Sequence, residues 1–341
     1  MECRRLGKTD LKVSGLGLGT EHMEKSSEDV ERILHLAIDA GVNYLDLFFW
    51  EQLGSIVNPH RDDFVLAAHW EGLEEILAKV VNGYVEIGML TMIDTETKWA
   101  GWAQKSLEQL RLYKEQGRIG YIGMSGHRAP VAIKAVNSGL IDVLMYPVNL
   151  ASHAIEADRA VYQACVDQGV GLVAMKPYAG GTLFVRAGRP TGITPVQCLA
   201  YTLSLPVSTA VMGVKNTDEL QAALHYWEAS NEEKDYRPVV ANIHHYLGDR
   251  NIYLGQCVYC NHCLPCPQDL AIGEIIRIVN LTEATDIEEA LAEYARLRVK
   301  ASDCTECGLC VELCPFDVDV MAKLRRAVEL FEGDAMTRRG G

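Results

Sequence analysis

The hydrophobic pattern of this chain repeats over its first 245 residues. A helical stretch ends at a glycine, and a short apolar run follows. The pattern occurs at Gly41 before NYLDLFF, at Gly83 before YVEIGML and at Gly117 before RIGYIGM. It recurs at Gly139 before LIDVLMY and at Gly169 before VGLVAMK. Glycine just past a helix end supplies the left-handed cap. Apolar strands without strict alternation suit a parallel sheet covered on both faces. One helix shows the period directly. Val30, Ile33, Leu34, Ala37 and Ile38 form a single apolar stripe, with Ser26 or Ser27 as the cap and Gly41 as the stop. Thr194-Pro195 reads as a cap followed by proline at the first helical position.

The strands fall at 16–20, 44–49, 64–69, 84–89, 119–125, 143–148, 171–176 and 208–213. Eight strands alternating with helices predict a closed (β/α)8 TIM-type barrel. An open doubly wound sheet is the alternative, but LGLGTEHM lacks the third glycine of a dinucleotide-binding turn. Only 51–60 and 70–83 remain for the connections after the second and third strands, so both look short.

Composition adds limits. Of 341 residues, 48% are hydrophobic and 23% charged, ordinary values for a globular chain. The net charge of −14 disfavours nucleic acid and anionic membrane as partners. No apolar run reaches the ~18 residues that span a bilayer. MECRRLGKTD has no apolar signal core, so a cytoplasmic location is expected.

The cysteines change the picture most. Eight of the 11 lie between Cys257 and Cys314. Cys257, Cys260 and Cys263 are spaced by two residues, with Cys266 before Pro267. Cys304, Cys307 and Cys310 repeat this, with Cys314 before Pro315. The second group has every spacing of the bacterial ferredoxin run; the first is one residue shorter before its last cysteine. Three cysteines at this interval can each give a thiolate to one iron of a cubane. In two-cluster ferredoxins the proline-flanked fourth cysteine ligates the other cluster. The crossed sets are then Cys257, Cys260, Cys263 and Cys314 for one [4Fe-4S] cluster, and Cys304, Cys307, Cys310 and Cys266 for the second. Two four-thiolate zinc sites are the competing reading, and disulfides do not suit a cytoplasmic chain. The expected organisation is a barrel over 1–245 and a small ferredoxin-like iron–sulfur domain over 246–341.

RRLGKTDLKVSGLGLGT, AIDAGVNYLDL, GRIGYIGMSGH and GVGLVAMKPYAGG resemble the aldo/keto reductases over most of 1–230. The cysteine groups resemble the ferredoxin-like extension of one subgroup of that family. The resemblance implies NADP(H)-dependent carbonyl reduction at the C-terminal strand ends. Carried over residue by residue, it places the family's Asp at Asp46. The family's Tyr falls at Glu51, its Lys at His69 and its His at Thr91, so three of four roles are changed. Ser125 matches the nicotinamide-binding Ser, with Gly126 where Asn is usual, Met145 where Gln is usual and Met175 where an aromatic stacks. The phosphate loop keeps Gly213 and offers Lys215, but Glu219 stands near the Arg that would meet a 2′-phosphate.

The barrel mouth therefore collects His22, Glu51, His69, His127, His153 and Lys176. Glu51 or His69 can act as acid or base if burial and pairing tune them. A second metal at the mouth, or a flavin against the aromatic run Phe48, Phe49 and Trp50, is compatible with these residue types, as is plain core packing of that run. Asp46 inside an apolar strand needs a partner, and Lys176 is the expected one. The leading expectation is an iron–sulfur oxidoreductase passing single electrons to or from a small-molecule substrate or second cofactor, with a ferredoxin or flavodoxin as electron partner. The alternatives are an NADP(H)-dependent carbonyl reductase with replaced acid–base residues, and a non-catalytic redox-sensing or scaffold protein.

Overall fold

The computed structural model describes residues 1–21, 23, 27–186, 189–243, 255–257, 259, 261–282 and 287–333. His22 and Cys260 lie outside these residues, as do Ser26 and the side chain of Ser27. The chain divides into two units: 1–178 with 194–241, and 179–193 with 242–341.

In the first unit eight parallel strands close into a barrel. They are β1 Leu16–Gly19, β2 Tyr44–Leu47, β3 Val65–His69, β4 Val85–Leu90, β5 Ile119–Ser125, β6 Val143–Pro147, β7 Gly171–Met175 and β8 Thr209–Gly213. Each pairs with its chain neighbours, and β8 closes on β1 with Ala210 opposite Leu16. The main helices are α1 Ser27–Asp39, α2 Trp70–Lys79, α3 Gln104–Glu115, α4 Ala129–Asn137, α5 Glu156–Gln168, α6 Pro195–Ser204 and α7 Thr217–Leu224.

The five glycines read as helix stops all have positive φ, from 64° to 76°. Thr194 caps α6 in a capping box with Gln197. The β2–β3 connection is short as expected, with one turn at Gly54–Val57 and a 3-10 segment at Asn58–Asp63. The connection after β3 is not: α2 is a ten-residue helix, because Leu73, Ile76 and Leu77 supply a buried stripe.

Alternation along the strands sends Tyr44, Val65, Ile87, Val143, Val173 and Val211 into the barrel interior. An N-terminal hairpin, Cys3–Arg5 with Lys12–Ser14, adds Leu6 and Val13 to this cluster. The same alternation places Asp46 on the face of Tyr44, and His69 on the face of Val65 and Ala67, at the C-terminal ends of their strands.

Among its described residues the second unit is helical apart from a two-residue hairpin, Val185–Arg186 with Arg189–Pro190. Helices α8 Ile272–Leu281, α9 Ile287–Arg296 and α10 Val320–Phe331 pack together. Ile272, Ile275, Ile276, Val279, Leu324 and Ala327 are buried there, and Tyr294 stacks on Phe331 with ring centroids 4.6 Å apart.

Candidate functional sites

Two hydrogen-bonded histidine networks stand at the barrel mouth. The first joins β2, β3 and β4. His69 Nε2 is 2.9 Å from Asp46 Oδ1, and His69 Nδ1 is 3.2 Å from Thr91 Oγ1. The Thr91 hydroxyl donates to Glu71 Oε2. A hydroxyl has one proton, so Thr91 accepts from His69 Nδ1–H while Asp46 accepts from Nε2–H. Both ring nitrogens are therefore donors, which is the imidazolium form. Burial pushes the His69 pKa down, but the charge and hydrogen bond of Asp46, with Glu71 and Glu21, outweigh it, and the net direction is up. Phe48 stacks on this ring at 3.9 Å and 17°. His69 and Thr91 are each 1% exposed.

The second network joins the ends of β5 and β7 to the loop after β4. Lys176 Nζ is 2.9 Å from His127 Nε2. His127 Nδ1 is 3.0 Å from Asp94 Oδ2, and the His127 backbone N–H donates to Asp94 Oδ1. An ammonium only donates and a carboxylate only accepts, so His127 is neutral with its proton on Nδ1. Burial first, and then the Lys176 charge, push its pKa down against the pull of Asp94. Gly126 makes the approach possible: a Cβ there would come within 2.9 Å of Ile93 O and 3.4 Å of Asp94 Oδ1. Lys176 sits at φ 54°, and Asn149 Nδ2 donates to its carbonyl at 2.8 Å. Strained non-glycine backbone of this kind concentrates at functional sites.

Several expectations are corrected by this geometry. Lys176 is not bonded to Asp46; each has a histidine instead. Glu51 does not join His69. It is exposed, and its charge acts on Lys79. A metal held between Glu51, His69 and His127 is not assembled, because both ring nitrogens of each histidine are already bonded. His153 pairs with Tyr201 Oη at 3.2 Å. Trp50 is core, and Phe49 packs against it.

The nicotinamide and phosphate positions are engaged internally. Ser125 is buried and its Oγ accepts from Met92 N–H at 2.9 Å. Gly213 ends β8 exposed. The backbone N–H of Lys215, a natural anion donor before α7, is taken by Glu219 Oε2 at 2.8 Å. Sequence reading missed Asp94, Glu71 and Lys98. Lys98 Nζ donates to Thr91 O and Met92 O, tying down the loop that carries Asp94. The signal available for Asp94 was its place just past a strand end, opposite a histidine that follows glycine.

In the second unit, one small cavity is lined by Cys263, Cys266, Cys304, Cys307 and Cys310. Another is lined by Cys257, Cys263 and Cys314, so Cys263 borders both. Backbone N–H groups of Tyr259 and Glu306 point at Cys257 Sγ and Cys304 Sγ, each at 3.4 Å. These cysteine-lined cavities fit iron–sulfur ligation by donor chemistry and by grouping.

Residues 70–197 match the aldo/keto reductase family, and residues 297–318 match the 4Fe-4S binding domain. The uncharacterized oxidoreductase YqkF of Bacillus subtilis (strain 168) is 24% identical over 211 residues, which cover 54% of this chain and 67% of that protein. The holo form of the aldo-keto reductase AKR11C1 from Bacillus halodurans superposes with TM-score 0.58 at 21% identity, covering 70% of this chain and 96% of that one. Its apo form gives 0.56 at 22% identity, with coverages of 70% and 96%. The chain is thus an oxidoreductase similar to the aldo/keto reductases over residues 70–197 and to the 4Fe-4S binding domain over residues 297–318. No described helix is long and apolar enough to cross a membrane.

Proposed function

We propose that this protein is a two-cluster iron–sulfur oxidoreductase whose barrel acts on a small carbonyl-type substrate without the family's acid–base set. The observation that carries the reading is the sorting of cysteines. Cys266 lines one cavity with Cys304, Cys307 and Cys310, Cys314 lines the other with Cys257, and Cys263 lines both. The separation of Cys266 from Cys314 supports the crossed pattern of a two-cluster ferredoxin, with Cys260 outside the described residues. Such clusters, when bound, exchange single electrons with a donor such as a ferredoxin or flavodoxin.

The barrel residues fit a site that works differently from its relatives. Asp46 and His69 form a buried, charge-balanced pair with no exposed proton to give. The Lys176 ammonium is half-buried at the mouth and is backed by His127. It is the group able to donate a proton to an oxygen that gains negative charge there. Glu219 fills the Lys215 N–H and sets a negative charge where a nucleotide 2′-phosphate would lie. This disfavours NADP(H) as the reductant.

The test is anaerobic reconstitution of the full chain, followed by photoreduction. Bleaching of the thiolate-to-iron absorption, reversed on adding a panel of small aldehydes and ketones, supports the proposal. Reoxidation by none of them, together with quenching of protein fluorescence by millimolar NADPH, would replace it with nicotinamide-dependent reduction.

A further inference from the structure

We propose that Lys176 is also an amine nucleophile, forming an imine with the carbonyl group of a small ketone or aldehyde, with His127 as its base and Asp94 orienting that base. A nucleophile, a base within hydrogen-bond reach and a third group fixing the base form the general arrangement of covalent catalysis. All three are present in one line: Nζ to Nε2 at 2.9 Å and Nδ1 to Oδ2 at 3.0 Å. The second Asp94 oxygen holds the His127 backbone N–H, so the carboxylate fixes the ring and its chain together. The tautomer follows from these partners: Nδ1 carries the proton and Nε2 turns its lone pair toward Lys176.

An imidazole lone pair is a poor counter-ion for an ammonium but a good acceptor for its proton. The burial that keeps His127 neutral at rest leaves that acceptor available. The line stands at the strand ends where barrel active sites are built. It is also built at some cost: Gly126 leaves room for Asp94, and Lys176 takes a left-handed backbone conformation.

The chemistry balances without an external oxidant or reductant. His127 takes one proton from the ammonium. The freed Nζ lone pair forms a C–N bond to the carbonyl carbon, while the C=O π pair moves to oxygen, which takes up a second proton from that nitrogen. The carbinolamine then loses its hydroxyl as water as the nitrogen gives up its remaining proton to form C=N. The net change is ammonium plus carbonyl to imine plus water, with one proton passed through His127 to solvent.

The inference stands apart from the redox reading, since trapping needs only an added hydride donor. The full-length protein is incubated anaerobically with hydroxyacetone, and separately with glyoxylate, in the presence of cyanoborohydride, and its peptides are mapped by mass spectrometry. The expected result is an adduct at Lys176 formed at least about tenfold faster than the mean of the other lysines, and slowed at least about tenfold in His127→Gln. The wild-type map decides the matter even if that variant folds poorly. Labelling spread evenly over the lysines with both probes, or unchanged labelling in a well-folded His127→Gln protein, would overturn the proposal.

Discussion

The two units of this chain have kept different things. The barrel keeps the scaffold of the aldo/keto reductases it is similar to, with eight strands in the expected places, while the resemblance itself implies that three of the four catalytic positions hold other residues. The C-terminal unit instead carries the cysteine spacing of a ferredoxin, and its described cysteines line two cavities. The difference follows from how each site is assembled. Cluster ligands sit within a few residues of one another, so local spacing fixes the chemistry. The barrel site is gathered from the ends of separate strands, so one replacement re-pairs everything around it. His69 in place of Lys draws in Thr91 and Glu71, and Gly126 in place of Asn admits Asp94 to His127.

The contrast can be tested in order of expected effect. Removing iron with a chelator under reducing conditions should unfold α8 to α10, a loss on the order of 10 kcal/mol by analogy with thiolate-held structural metals. Far-UV circular dichroism should show the barrel's signal persisting. Within the barrel, Asp46→Asn leaves the buried His69 cation without its main partner and should cost about 3–5 kcal/mol in urea melts.

The two histidines should also respond to pH with opposite sign. The His69 pKa is raised on folding, so its contribution is full below about 6.5 and is lost as pH rises through the folded value. The His127 pKa is lowered, so its contribution is present above about 6.5 and is lost as pH falls toward the folded value. Melts of His69→Gln and His127→Gln from pH 5 to 9, each set against wild type, should diverge from it at opposite ends of the range. Divergence at the same end would contradict the assigned protonation states. The smallest effect is expected at the phosphate loop. Glu219→Gln removes the internal anion from Lys215 N–H and should raise the affinity for 2′,5′-ADP about tenfold, or about 1.4 kcal/mol, by titration calorimetry.

Much of the scaffold was legible because its signals are local. Each helix-ending glycine, the apolar runs and the Thr194 cap act over a few residues. The α2 helix read as short because its stripe of Leu73, Ile76 and Leu77 was not weighed against the space available. The mouth was legible only as a collection of residues. Asp46, His69, His127 and Lys176 were all named, but Asp46 was matched with the wrong cation. Which groups pair depends on barrel register: β2 and β3 are neighbours, whereas Lys176 ends a strand on the other side of the closed sheet. Asp94 carried no signal of its own beyond lying past a strand end.

Iron and acid-labile sulfide counted per chain, in protein purified without oxygen, test the central claim most directly. The crossed cysteine sets predict about eight of each, falling to about half when either Cys266 or Cys314 is replaced by serine. Stoichiometric zinc with no sulfide would contradict the account.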